Sequence, residues 1–149
     1  MKIYTLGSYS DVEGNLTAIE AGGRIVILDM GISMPQWVSL TEDERKNLDE
    51  DSLKSLGVLP DDSKIDPGKV EAIVISHAHM DHYFGVFWLA RKYNCPIITT
   101  PFVYEVMKRD EFFPRLKNKV IQINPGDSYK LENFRVNFIY STHSIPQTV

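Results

Sequence analysis

Apolar positions at the amino end fall in short, β-branched runs, "KIYTLG", "NLTAIEA" and "RIVILDMG", separated by the turn residues "SYSDVEG" and "GG". Runs of this length and spacing predict three strands in an antiparallel meander. A polar stretch follows, "SMPQWVSLTEDERKNLDEDSLKSLGVLPDDSKIDPGK". Thr41 and Glu44 stand at capping-box spacing, so the chain turns helical there, and Gly57 and Pro60 close the segment. Its apolar Leu48, Leu53 and Leu56 are too sparse for a buried helix. The expectation is a surface excursion whose charge run faces solvent.

The next run, "VEAIVIS", is nearly all apolar, as in a strand buried on both faces. It leads directly into "HAHMDH" and then "MDHYFGVFWLARKY", whose Phe84, Phe87 and Trp88 predict an amphipathic helix ending before Pro96. "PIITT" reads as a short strand. Thr100 and Pro101 then supply the N-cap and first residue of a helix that carries Phe102, Val103, Val106 and Met107 on one face. Three strands close the pattern, "KVIQIN", "DSYKL" and "FRVNFIYSTH", the last alternating Val136, Phe138 and Tyr140 before His143. Neither a repeat nor a linker interrupts the 149 residues, which suit one modest domain.

Sixteen Lys and Arg against twenty Asp and Glu leave a net charge of −4. No global basic field attracts nucleic acid, so a polyanion would need a local patch. "KRDEFFPRLKNK" offers one, with Lys108, Arg109, Arg115, Lys117 and Lys119 around Phe112 and Phe113. A basic surface loop over a buried Phe pair explains the same residues. Cys95 is the only cysteine and forms no intramolecular disulfide, which points to a cytoplasmic protein with a buried thiol. With no signal peptide and no apolar run near the ~18 residues of a span, no membrane partner is expected.

Histidine changes the picture, because three of the four in the chain fall within six positions, beside an aspartate. His77 and His79 are two apart at a strand end, where alternate side chains point the same way. Two imidazoles so placed can grip one cation, and Asp81 and His82 can address a second. His143 is the remaining histidine able to supply a third ligand to the first ion. Imidazole suits Zn, Fe, Ni and Cu, and added carboxylates also admit Mn. Zinc is the default. Asp29, at the end of "RIVILD", can either orient a ligand histidine or bond nearby backbone amides as a turn aspartate.

"SHAHMDH" resembles the H-x-H-x-D-H signature of the metallo-β-lactamase superfamily, and "THSIPQT" resembles the histidine motif of its β-CASP nucleases of the ribonuclease J type. The resemblance implies an α/β architecture, the αββα fold in which a β-sandwich is flanked by helices. It also implies RNA as substrate, with 5′-to-3′ exonuclease and endonuclease action. His77, His79 and His143 would hold one Zn²⁺, while Asp81 and His82 would begin the second site and carry catalysis; Mn²⁺ or Mg²⁺ can replace zinc. Asp29 corresponds to the family's first aspartate motif, and Gln147 stands where many bacterial members have Asp. The aspartate that bridges the two ions and a later histidine have no counterpart before Val149. On that basis residues 1–149 are the amino-terminal part of the catalytic domain, without the β-CASP domain or the second half of the sandwich. An exposed sheet edge and apolar face then predict a homo-oligomer.

Two other readings share the histidine cluster. One is a hydrolase of a small thioester, lactone or phosphodiester, and the other a non-catalytic fragment that binds a metal or a partner.

Overall fold

The computed structural model describes residues 1–7 and 14–149. Six of the seven residues of the expected "SYSDVEG" turn lie outside the described residues. The meander forms as expected: β1 (Lys2–Thr5), β2 (Thr17–Ala21) and β3 (Arg24–Leu28) pair antiparallel, with Lys2 opposite Glu20 and Ala21 opposite Arg24. Gly22 and Gly23 make the β2–β3 turn with φ of 59° and 78°, the left-handed conformation a tight hairpin requires. Beyond β3 the sheet becomes parallel through β4 (Val70–Val74), β5 (Ile97–Thr99) and β6 (Val120–Gln122), in the spatial order β1-β2-β3-β4-β5-β6. A separate antiparallel pair follows, β7 (Ser128–Lys130) with β8 (Arg135–Asn137).

Alternation along the central strands sorts two apolar layers. Ile25, Ile27, Ile73, Ile75 and Ile97 face one large cluster, while Val26, Ala72, Val74 and Ile98 face a second one. Tyr129 and Val136 of the β7–β8 pair, with Phe138 just after β8, cover the second. This explains why "VEAIVIS" lacks polar alternation, since both faces of β4 are buried.

The large cluster is closed by helices, and two of them differ from expectation. "MDHYFGVFWLARKY" is not one amphipathic helix. It breaks into α4 (Met80–Tyr83) and α5 (Val86–Leu89) with a 3₁₀ turn over Ala90–Lys92, and every residue from Tyr83 to Ala90 is buried. The segment is enclosed by the sheet on one side and by the excursion between β3 and β4 on the other, so no face of it needs polar residues. That excursion holds α1 (Met34–Ser39), α2 (Glu42–Asn47) and α3 (Glu50–Ser55). Thr41 and Glu44 form the expected capping box of α2. Leu53, however, is fully buried and Leu48 packs on the core, and only Leu56 is half exposed. Trp37 of α1 meets Phe84, Trp88 and Phe112 edge-on at 5.3, 5.7 and 6.1 Å. The excursion is a lid on the core, anchored by Trp37 and Leu53.

Its charges are not all solvated either. Asp62 is 2% exposed and accepts hydrogen bonds from Lys54 (2.6 Å), Lys92 (2.9 Å) and the Tyr93 hydroxyl (2.6 Å). Glu50 adds a second carboxylate to both lysines. Burial works against the Asp62 carboxylate, but the three hydrogen bonds outweigh it and hold the group below its ordinary range. The stability this confers is fully present above the unfolded aspartate value of ~3.9 and is lost as pH falls through the folded value. Asp62→Asn is expected to cost about 2–4 kcal/mol at pH 7, because two lysines lose the buried one of their two carboxylate partners and keep only Glu50. Urea unfolding at pH 7 and pH 3 checks this: the deficit should shrink toward pH 3.

α6 (Pro101–Lys108) starts as expected, with Thr100 capping Val103, and buries Val103 and Met107. The last strand is shorter than expected. β8 ends at Asn137, and Tyr140 is 64% exposed, so His143 sits in a loop rather than at a strand end. Cys95 is buried, which pushes its thiol up to about 12 and leaves it inert. Among the described residues, no helix is long and apolar enough to cross a membrane.

Candidate metal centre

Because β3, β4 and β5 run parallel, their carboxyl ends open on one edge of the sheet, where α/β folds collect ligands. Asp29 follows β3, His77 and His79 follow β4, and Thr100 follows β5. His79 is the residue before α4, which carries Asp81 and His82. The loop after β8 returns to the same edge with His143. All four histidines of the chain therefore meet: the rings of His77 and His82 are 4.0 Å apart, and His143 lies 4.7 Å from both His77 and His79.

The donor atoms of His77, His79 and His143 lie within 4.8 Å of one another. His77 Nε2 faces His79 Nδ1 at 3.1 Å. Two nitrogens bonded to one tetrahedral zinc at ~2.0–2.1 Å stand roughly 3.4 Å apart, so this pair fits the ion and the third needs only a small inward shift. Burial, reinforced by the neighbouring His82, lowers the His77 pKa to about 4. His77 is therefore neutral at physiological pH, with a lone pair free for a cation. Ser144 donates its backbone N–H to His143 Nδ1 at 2.7 Å, so in this arrangement Nδ1 is the acceptor and Nε2 carries the ring proton; His143 must exchange that tautomer to present Nε2 to a cation.

Asp81 and His82 form the adjoining half, with Asp81 Oδ2 3.4 Å from His82 Nε2. Asp29 stands behind them. Its Oδ2 meets His82 Nδ1 at 2.8 Å, and its carboxylate also accepts the backbone N–H and the hydroxyl of Ser76 at 2.8 and 2.9 Å. Asp29 thus bonds a histidine and a backbone amide at once, and the amide lies 47 positions away rather than in its own turn. Asp29 holds φ at 57°, a left-handed conformation that aspartate tolerates better than most residues. Burial disfavours the His82 imidazolium, yet the hydrogen bond and charge of Asp29, with the charge of Asp81, prevail and raise its pKa.

Two residues at the centre carried no signal in the hydrophobic pattern. Asn15 was only the first letter of a strand, and Ser76 only the last. The amide of Asn15 reaches the Asp81 carbonyl, Asp81 Oδ2 and His82 Nε2 at 3.0, 3.2 and 3.1 Å. Their backbones are laced together as well: Asn15 N–H donates to Asp81, Met30 N–H to His82 and Gly31 N–H to Asn15, at 2.8, 2.7 and 3.0 Å. Gly31 lies so close that a Cβ there would overlap the Asp81 carbonyl.

Gln147 has φ of 53° and accepts the Phe102 N–H at 2.9 Å, while Val149 N–H donates to Ser76 at 3.2 Å. These bonds tie the His143 loop to α6 and to the residue before His77. An amide oxygen serves as acceptor at Gln147, a task a carboxylate is not needed for.

The five basic residues of "KRDEFFPRLKNK" do not gather at the histidines. Lys108 pairs with Glu105 at 2.8 Å, and Arg109 lines a cavity with Arg45, Asp110 and Glu111. Arg115 stacks on Trp88 and Phe112 and donates to the Lys46 carbonyl at 2.8 Å. Lys117 and Lys119, with Arg91, line an open cavity of about 450 Å³ at the amino ends of β5 and β6. The Lys119 carbonyl is bonded to Ile97, which pairs with Ile73, and His77 lies four residues farther on. At ~3.3 Å per residue, roughly 13 Å of strand direction separates those cations from the histidines. Phe112 is buried and Phe113 partly so.

The chain is 38% identical, over all of its length, to ribonuclease J of Methanocaldococcus jannaschii and, over 99% of its length, to ribonuclease J of Pyrococcus abyssi. It spans about a third of the length of each of these relatives. Among solved structures it resembles the metallo-β-lactamase fold protein YhfI from Bacillus subtilis, with a TM-score of 0.58 at 15% identity over 96% of this chain and 53% of that one. The profile described as the metallo-beta-lactamase superfamily matches residues 10–145, from the meander through the histidine cluster to the His143 loop, and the chain belongs to that superfamily.

Proposed function

We propose that the complete protein hydrolyses RNA phosphodiester bonds in a metal-dependent reaction of the ribonuclease J type, with both 5′-to-3′ exonuclease and endonuclease action. In this reading residues 1–149 are the amino-terminal part of its metallo-β-lactamase domain, and a β-CASP domain completes the enzyme. The observation that carries the reading is the 38% identity with ribonuclease J along the whole chain, joined to imidazoles clustered at the carboxyl end of β4. His77, His79 and His143 would hold one divalent ion, Zn²⁺ by the all-nitrogen donor set, and Asp81 with His82 would contribute to a second, where Mn²⁺ or Mg²⁺ also fits. Such ions polarise a phosphoryl oxygen and lower the pKa of bound water to ~7.

The side chains supply the rest. Asp81 would orient the attacking hydroxide. Asp29 fixes the His82 ring through Nδ1, so that Nε2 stays turned toward Asp81. The position of Arg115, Lys117 and Lys119 suits peripheral contact with an RNA strand rather than a grip on the scissile phosphate. A cytoplasmic homo-oligomer acting on RNA is the matching setting.

The test compares 5′-monophosphorylated RNA with a thioester substrate on the full-length enzyme, with and without chelator. RNA cleavage that chelator abolishes and zinc or manganese restores is expected. Turnover of the thioester alone would instead favour a small-molecule hydrolase, and no turnover of either would favour a binding role.

A further inference from the structure

We propose that Asn15 is a positioning residue that competes with a cation for the Asp81–His82 half of the centre, and thereby sets how tightly that half takes its ion. The inference rests on the metal-centre reading and adds to it a residue that contributes no obvious ligand. The side-chain nitrogen of Asn15 stands 3.2 Å from Asp81 Oδ2 and 3.1 Å from His82 Nε2. Those are the two atoms with which the pair would bind a cation. In neutral His82, the hydrogen bond from Nδ1 to Asp29 leaves Nε2 as an acceptor, and the Asn15 amide donates to that lone pair. A cation at Nε2 needs the same lone pair. Asp81 Oδ2 can serve two partners at once, but Nε2 cannot.

The amide therefore does two things. It holds the carboxylate and the imidazole together when no cation is bound, and it must release Nε2 when one arrives. Its main chain has no freedom to help, because Asn15 N–H is bonded to Asp81 and Asn15 C=O to Gly31. Release must come from side-chain rotation alone. His82 stays oriented without Asn15, since Asp29 grips the opposite nitrogen. Removing the amide therefore takes away the competitor and leaves the ligand in place.

The experiment loads the protein with one equivalent of Zn²⁺ at pH 8, then titrates Mn²⁺ and follows paramagnetic broadening of the His82 ring protons, which also reads weak binding. Asn15→Ala should bind Mn²⁺ about two- to tenfold more tightly, the value of one net hydrogen bond. Asn15→Asp, which exchanges the donor for a carboxylate, should tighten it further. Circular dichroism and melting of each variant accompany the titration, and Asn15→Ser serves if the alanine variant does not fold. A merely structural role would lower stability and leave Mn²⁺ broadening unchanged or weaker; that result in a folded variant overturns the inference. If wild-type protein fails to take up the first Zn²⁺, the metal-centre reading falls, and this inference with it. Zinc uptake with no shift in the Asn15 variants would overturn the inference alone.

Discussion

His77→Ala is expected to lose zinc binding by at least about 100-fold, and with it all metal-dependent activity. Displacing a residue that merely supports a ligand already costs 10–100-fold, and His77 is placed as a ligand itself. It is also the most constrained of the trio, 4% exposed, facing His79 Nδ1 at 3.1 Å and packed on the rings of His82 and His143. The loss should be specific to the ion. His77 is uncharged in the folded protein, so its removal deletes no ion pair; the cavity it leaves lowers the melting point of the chelated variant, and the effect of the ion is read as the rise on adding metal to each protein. Zinc at 100 times its dissociation constant stabilises a protein that binds it only when folded by about 2.7 kcal/mol, or roughly 5–10 °C for a chain of this size. Wild type should show that rise and His77→Ala should not. Equal rises in the two proteins would remove His77 from the ligand set.

The second large effect is expected at Gly31, which touches no ion. In Gly31→Ala the new methyl would overlap the Asp81 carbonyl and press on the His82 amide. These are backbone atoms near the start of a helix, so no side chain can turn aside to make room. Ordinary overpacking costs about 1–3 kcal/mol. Here the segment after β3 must separate from α4, breaking the bonds from Met30 to His82 and from Asn15 to Asp81, so a loss above about 4 kcal/mol is expected. Soluble yield and the cooperativity of urea unfolding read it directly. Gly23→Ala is the control. Its φ is positive, at 78°, unlike that of Gly31, but nothing lies within 4 Å of the added carbon, so only the conformational cost of about 1 kcal/mol should appear.

Periodicity and local chemistry carried much of this arrangement. The meander could be read from β-branched runs broken by paired glycines, β4 from its unbroken apolar letters, and the caps of α2 and α6 from Thr41 and Thr100. Each is a local property, decided within a few residues. The histidine spacing was equally local, and the superfamily follows from it. Where the pattern misled, the cause was burial imposed from a distance. Leu53 and Asp62 lie in a stretch with the composition of a solvated loop, and they are buried because the loop folds over Trp88 and Tyr93. "FGVFWLA" was given a solvent face that the same loop removes. Asn15 had no local signature at all, since its importance comes from a backbone 66 positions away. The basic segment shows the limit of local reading from the other side. Its charges are close together in the chain but spread over the surface.

The order in which the histidines occur along the chain has a consequence for how the protein comes into being. His77, His79, Asp81 and His82 leave the ribosome together, after β1 to β4 have supplied Asn15, Asp29 and Gly31 to receive them. His143 follows 61 residues behind His82, once β5, α6, β6 and the β7–β8 pair have been made. A nascent chain thus presents His77 and His79 long before His143, the third donor of the proposed set, exists, and it would hold that ion loosely or not at all. If His77, His79 and His143 share one ion, as proposed, firm capture waits for the loop that Gln147 and Val149 fasten, and metal would bind after this region is made instead of seeding it.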